Sequence, residues 1–105
     1  MMYNKPTKIR SKAIRNSARG ENCTLRISGV CNHNPETVVF AHLPGNKGTG
    51  TKNHDLFGVY ACCECHDWAD GRHWKVVNES KSSAYLRALQ ETQLKLIEKG
   101  LIKVI

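Results

Sequence analysis

The sequence predicts a small α+β domain stapled by a metal ion, and three observations carry that prediction. Two short segments rich in β-branched and aromatic residues, 37–42 (TVVFAH) and 56–61 (LFGVYA), flank a loop with three glycines. One amphipathic pattern of helical period runs over residues 80–99. Four thiols come in two pairs, Cys23 with Cys31 and Cys62 with Cys65. A chain of 105 residues suffices for one domain with a modest core, where a staple compensates for limited burial.

The elements follow in order. Residues 9–19 (IRSKAIRNSAR) suit a short basic helix stopped by Gly20. Residues 24–27 read as a strand between Cys23 and Cys31, with Ser28-Gly29 as the turn of a hairpin that presents two thiolates. Pro35 precedes the strand expected over 37–42. The loop LPGNKGTGTKNHD is long for a compact domain, and loops of that length tend to be functional or mobile. After the strand over 56–61 a helix is expected from Glu64 to about His73, with Gly71 arguing for an early end. In the last helix Tyr85, Leu86, Leu89, Leu96 and Ile97 form the apolar stripe. Gly100 stands at the C-cap, and Lys95 and Lys99 suit the negative helix end. This helix is expected to cover the metal-centred core, with LIKVI as a final extension. The division expected is a basic arm over 1–16 and one domain over 17–105, with no internal repeat.

The net charge is +7, from 16 lysines and arginines against 9 acidic residues. The excess is concentrated before Glu21, where Lys5, Lys8, Arg10, Lys12, Arg15 and Arg19 meet no acid. Such an arm attracts polyanions, of which nucleic acid is the commonest soluble one; the plainer reading is a solvated arm that only aids solubility. No stretch has the apolar length to cross a bilayer, and no apolar segment follows the N-terminal charges as in a secretory signal. The expectation is a cytoplasmic protein, where disulfides are rare and five cysteines point to metal or reactivity.

Cys62-x2-Cys65 is the stronger half of the cysteine pattern, because a two-residue gap lets both sulfurs of a tight turn face one ion. Four thiolates suit a closed structural zinc site. Unliganded thiols are the alternative, and a thioredoxin-type pair lacks its βαβ setting. Cys63 is left over as a free thiol. Among five histidines, His66 and Asp70 lie four apart on one helix face, so they can hold a divalent ion together or simply hydrogen-bond. His42 ends an expected strand, where a satisfied core histidine is the plain alternative. His33 and His54 fall in loops and read as surface residues, and His73 is a weaker ligand candidate. Trp68 and Trp74 are expected to pack into the core rather than stack on bases.

Strand, loop, strand and helix bearing AH, NHDL and CCECH resemble the HNH nucleases, also called ββα-metal or His-Me finger nucleases, in zinc-stapled form. More closely, ARGENCTLRISGVCNHNPETVVFAH, GTGTK, DL and AC-x2-CHD-x2-D resemble the prophage-encoded YbcO-like family, from about Ser17 to Arg72 and more loosely through the last helix. It implies a zinc-stapled ββα-metal domain with flanking N- and C-terminal helices, acting as a DNA endonuclease of phage or prophage type. His42 would be the general base, Asp55 would orient it, and His66 with Asp70 would hold a catalytic divalent ion, magnesium or manganese. Cys23, Cys31, Cys62 and Cys65 would hold structural zinc. Many HNH enzymes place a further ligand just before the base, where this chain has Ala41, so water and substrate phosphate would complete the shell. Lys47, Lys52, Arg15 and Arg19 are the expected nucleic-acid contacts, positioning without reading sequence.

Two other functions stay open. One is a zinc-stapled nucleic-acid-binding accessory that cuts nothing and works with phage or host recombination or replication proteins. The other is a module for an acidic protein partner.

Overall fold

A computed structural model describes residues 8–44 and 52–105. Its elements are helix α1 (Lys12–Asn16), a 3-10 turn (Pro35–Thr37), strand β1 (Val39–His42), strand β2 (Gly58–Ala61), helix α2 (Cys63–Ala69) and helix α3 (Lys81–Glu98). The fold is a small α+β domain in which a two-stranded sheet is surrounded by three α-helices.

β1 and β2 pair antiparallel, with Val39 opposite Ala61 and His42 opposite Gly58. All of β2 is buried, whereas β1 alternates, so Ala41 faces the core and Phe40 and His42 share the other face. Gly58 lets the strands meet there: a Cβ at that position would fall 2.2 Å from the Phe40 ring. The ring instead stands edge-on to His42 (5.3 Å between centroids) and to Tyr60 (6.3 Å).

α3 packs its Ala84, Tyr85, Ala88, Thr92 and Leu96 face onto β2. Ser80 caps it by accepting from the Ser83 N–H, and Gly100 continues past its end at φ +74°. The bounds agree with the expected 80–99, but the buried face is rotated: Leu86 and Ile97 are exposed. Alanines let the helix approach the sheet closely, which displaces the larger residues to the rim. Thr92 is wholly buried, sharing its hydroxyl with Thr24 (3.1 Å) and accepting from the Tyr60 N–H (3.3 Å).

The expected basic helix over 9–19 is shorter. Ser11 is its N-cap, accepting from the Ile14 N–H at 3.2 Å, and Ile14 joins the core. Residues 24–27 are not a strand. Arg26 takes φ +44°, which breaks extended geometry, and the N–H groups of Arg26 and Ile27 go to sulfur rather than to a ladder. Gly29 does form the expected turn, at φ +79°. The early end of α2 is also as expected, since Gly71 lies at φ +78° just after the Asp70 C-cap. No helix among the described residues is long and apolar enough to cross a membrane.

Candidate active site and metal centre

The four cysteines converge. Cys62 is the N-cap of α2 and Cys65 lies one turn in, while Cys23 and Cys31 bracket the irregular loop that packs against them. All four sulfurs lie within 4.8 Å of one another, with Cys31 and Cys62 at 3.9 Å. A tetrahedron of thiolates around zinc, with bonds of about 2.3 Å, has edges of about 3.8 Å, so the donor set fits. Backbone N–H groups point at the sulfurs: Arg26 to Cys23 (3.4 Å), Ile27 to Cys65 (3.4 Å) and Cys65 to Cys62 (3.3 Å). The hydrogen bond from Cys65, helped by the Arg26 N–H, pulls the Cys23 thiol down to about 4. Burial pushes Cys31 up to about 11, and the bond to Cys23 followed by burial drives Cys65 up further. Four crowded sulfurs cannot all ionise without a cation among them, so this cluster could hold a metal such as zinc. Cys63 is exposed and stands outside it, 3.4 Å from the Asn32 amide.

A second constellation forms at the open end of the sheet. His42 Nε2 lies 2.7 Å from Asp55 Oδ1. Asp55 is wholly buried, and its carboxylate also accepts from the Ser11 N–H (2.7 Å), from Arg15 Nη1 (2.5 Å) and from Arg10 Nη1 (3.3 Å). Burial alone would raise this carboxyl, but the hydrogen bonds from His42 and Ser11 and the Arg15 guanidinium outweigh it and bring it down to about 2. An ionised Asp55 can only accept, so His42 donates to it from Nε2, and in the neutral imidazole Nδ1 is then the acceptor. No hydrogen bond reaches Nδ1 among the described residues. Arg10, Arg15, His42, Lys52 and Asp55 line an open cavity of about 350 Å³.

The segment carrying Arg10 and Ser11 is laid along the loop that ends at Asp55. The Ile9 N–H donates to His54 Nδ1 (2.8 Å), and the Asp55 N–H donates to the Ile9 carbonyl (2.9 Å). Arg10 is locked by the carbonyls of Asn53 (2.5 Å) and Lys52 (3.0 Å). Sequence reasoning counted Arg10 only as arm charge and did not see Ser11. The anchor was visible as Asp55, but its partners lie about 40 residues away in the chain, beyond the reach of local pattern.

On α2, His66 Nε2 lies 3.4 Å from Asp70 Oδ2, as the four-residue spacing requires. Arg72 donates to the same oxygen at 3.1 Å and to Asp67 at 3.1 Å. Among the described residues, the four cysteines are the only group of three or more candidate ligands drawn together. Ala41 is buried and contributes nothing to either centre. Lys52 rims the cavity beside His42, Arg19 is exposed on a neighbouring groove, and Lys47 lies outside the described residues. His73 is turned inward, donating to Glu64 (2.5 Å) and accepting from the Lys75 N–H (3.0 Å). Trp68 is core as expected, but Trp74 is 81% exposed, stacked on His73 on a surface that α2 and α3 leave uncovered.

The fold and its thiol cluster define a class of small α+β domains with four cysteines that could hold a metal, and comparison with known proteins narrows it. The family model described as "Putative nuclease YbcO" matches residues 12–101, which include the four cysteines, His42 and Asp55 but not Arg10 or Ser11. The chain belongs to the YbcO family. It is 46% identical over 93 residues to a protein named "Putative nuclease YbcO" from Escherichia coli K12, covering 86% of this chain and 96% of that one. The same figures hold for a protein of the same name from Enterobacteria phage 82. A solved structure, described as that of a putative bacteriophage protein from Escherichia coli K-12, matches with a TM-score of 0.67 at 39% identity. The match covers 84% of this chain and all of that one.

Proposed function

We propose that this protein is a metal-dependent DNA endonuclease of the HNH type, with His42 as general base. The observation that carries this reading is the His42–Asp55 pair at 2.7 Å, set in a cavity lined by Arg10, Arg15 and Lys52. The relatives' naming as nucleases supports the reaction class, and their phage and bacterial sources support a phage or prophage setting.

The chemistry follows from the residues. A phosphodiester resists attack because its oxygens are negative, and a cavity bordered by three cationic side chains lowers that repulsion. Asp55 holds the imidazole in one tautomer and orientation, so Nδ1 can take the proton of an attacking water. Arg15 keeps only one guanidinium nitrogen on Asp55, which leaves other N–H groups for a phosphate oxygen. His66 and Asp70 would hold the divalent ion, magnesium or manganese, which when bound would neutralise the scissile phosphate and the departing oxygen. Their donor atoms are 3.4 Å apart, near the edge of about 3.0 Å expected for an octahedral ion of that size.

Two features favour a second reading, a zinc-stapled nucleic-acid-binding accessory without activity. Arg72 already occupies Asp70 Oδ2, and buried Ala41 supplies no third ligand. Nicking of supercoiled plasmid with magnesium or manganese separates the two. His42→Ala is expected to lower the rate about 10²–10⁴-fold, the usual contribution of a general base, while a gel shift persists. Equal nicking by both proteins would refute the role of His42, and tight binding without any nicking would establish the accessory.

A further inference from the structure

A groove of about 490 Å³ lies between α1 and β1, lined by Arg15, Arg19, Glu36, Val39 and Phe40 among others. Arg15 also lines the His42 cavity, so the two depressions share a wall. We propose that this groove is a subsite for an unpaired nucleotide next to the phosphate being cut, so that single-stranded DNA is the preferred form at that position. The proposal rests on the nuclease reading and adds the substrate form to it.

The groove has the two surfaces such a nucleotide needs. Its lining includes apolar Ala18, Val38, Val39 and the partly buried Phe40. Its rim is cationic: Arg15 and Arg19 are four residues apart, and the Arg19 N–H bonds to the Asn16 carbonyl (3.3 Å), continuing the turn of α1. Arg19 makes no ion pair among the described residues, whereas Arg15 is fixed by Asp55 at 2.5 Å. A base laid on an apolar surface with its phosphate on guanidinium groups is the usual mode of sequence-tolerant single-strand binding. Contact with an apolar surface needs an exposed base face, which an unpaired nucleotide offers and a base stacked within a duplex does not. The lining is tied to the chemistry, because the Phe40 ring stands edge-on to His42 at 5.3 Å. Exposed Glu36 also lines the groove and would repel a further phosphate beside it.

Fluorescence anisotropy with the zinc-loaded full chain tests this, using a short single-stranded oligonucleotide and its duplex without magnesium. Arg19→Glu is expected to weaken single-strand binding at least tenfold and duplex binding less than threefold. Val39→Asp, which puts a carboxylate in the lining, should show the same selectivity, with thermal melts reporting whether it folds. Should it unfold, Arg19→Glu decides alone, since that side chain is exposed. Equal losses on both substrates, or no loss, would overturn the subsite. Because the readout is binding, a protein that never cuts but shows the selectivity keeps the subsite and loses the nuclease reading. Cutting without selectivity does the reverse.

Discussion

Asp55 is the residue on which the candidate site turns. Its two oxygens serve an imidazole, two guanidinium groups and a backbone N–H, and each bond both orients a partner and keeps the carboxyl ionised. A carboxyl lowered from 3.8 to about 2 contributes stability that is complete above 3.8 and lost as pH falls through about 2. Asp55 is therefore an anion throughout the range in which thiolates bind zinc. Asp55→Asn would offer His42 an amide in place of that anion and leave Arg10 and Arg15 without a counter-charge. The expected result is a fall in nicking rate of about 10²-fold or more, with a lower melting temperature and zinc content unchanged. Rate and melting temperature both equal to those of the parent protein would remove Asp55 from the proposed mechanism.

At the scale of elements, α2 and its two caps present two separate groups of side chains between residues 62 and 70. The first turn carries Cys62 and Cys65 into the thiol cluster, and the later turn carries His66 and Asp70 outward. Metal binding in comparable small sites contributes about 10–16 kcal/mol to folding. Cys65→Ala should therefore unfold the domain and release zinc, whereas Asp70→Ala should melt within a few degrees of the parent. Thermal melts with metal analysis check this, and equal melting of the two variants would contradict the division of labour. The gathering of the thiols and the surface pairing of His66 with Asp70 were legible in the spacing of ACCECHDWAD, as were the two paired strands, the last helix and its caps. Residues 24–27 misled because their β-branched and apolar side chains resemble a strand, while their amides are claimed by sulfur. Trp74 misled because residue type predicts burial only where a neighbouring element arrives to cover it.

For the molecule as a whole, basic charge is gathered on the face where α1, the end of β1 and the loop before β2 meet. Arg10, Arg15, Arg19 and Lys52 share that face, with Asp55 beneath it. Binding there should depend on salt, and each phosphate contact removed should reduce the log–log slope by about 0.7–0.9. Lys52→Ala is expected to lower the slope by that amount in titrations between low and moderate salt. An unchanged slope would place the nucleic acid elsewhere. Elsewhere in the molecule the thiol cluster gathers the start of α2 and the loop over residues 23–31, while His66 and Asp70 stay on the surface, so the proposed divalent-ion site would stand apart from the sulfurs. Crystals soaked in manganese, with anomalous scattering recorded at the zinc and manganese edges, test that claim most directly. The account predicts zinc centred among Cys23, Cys31, Cys62 and Cys65, and manganese separately bound at His66 Nε2 and Asp70. Manganese found only among the sulfurs, or absent from His66 while DNA is still cut, would contradict it.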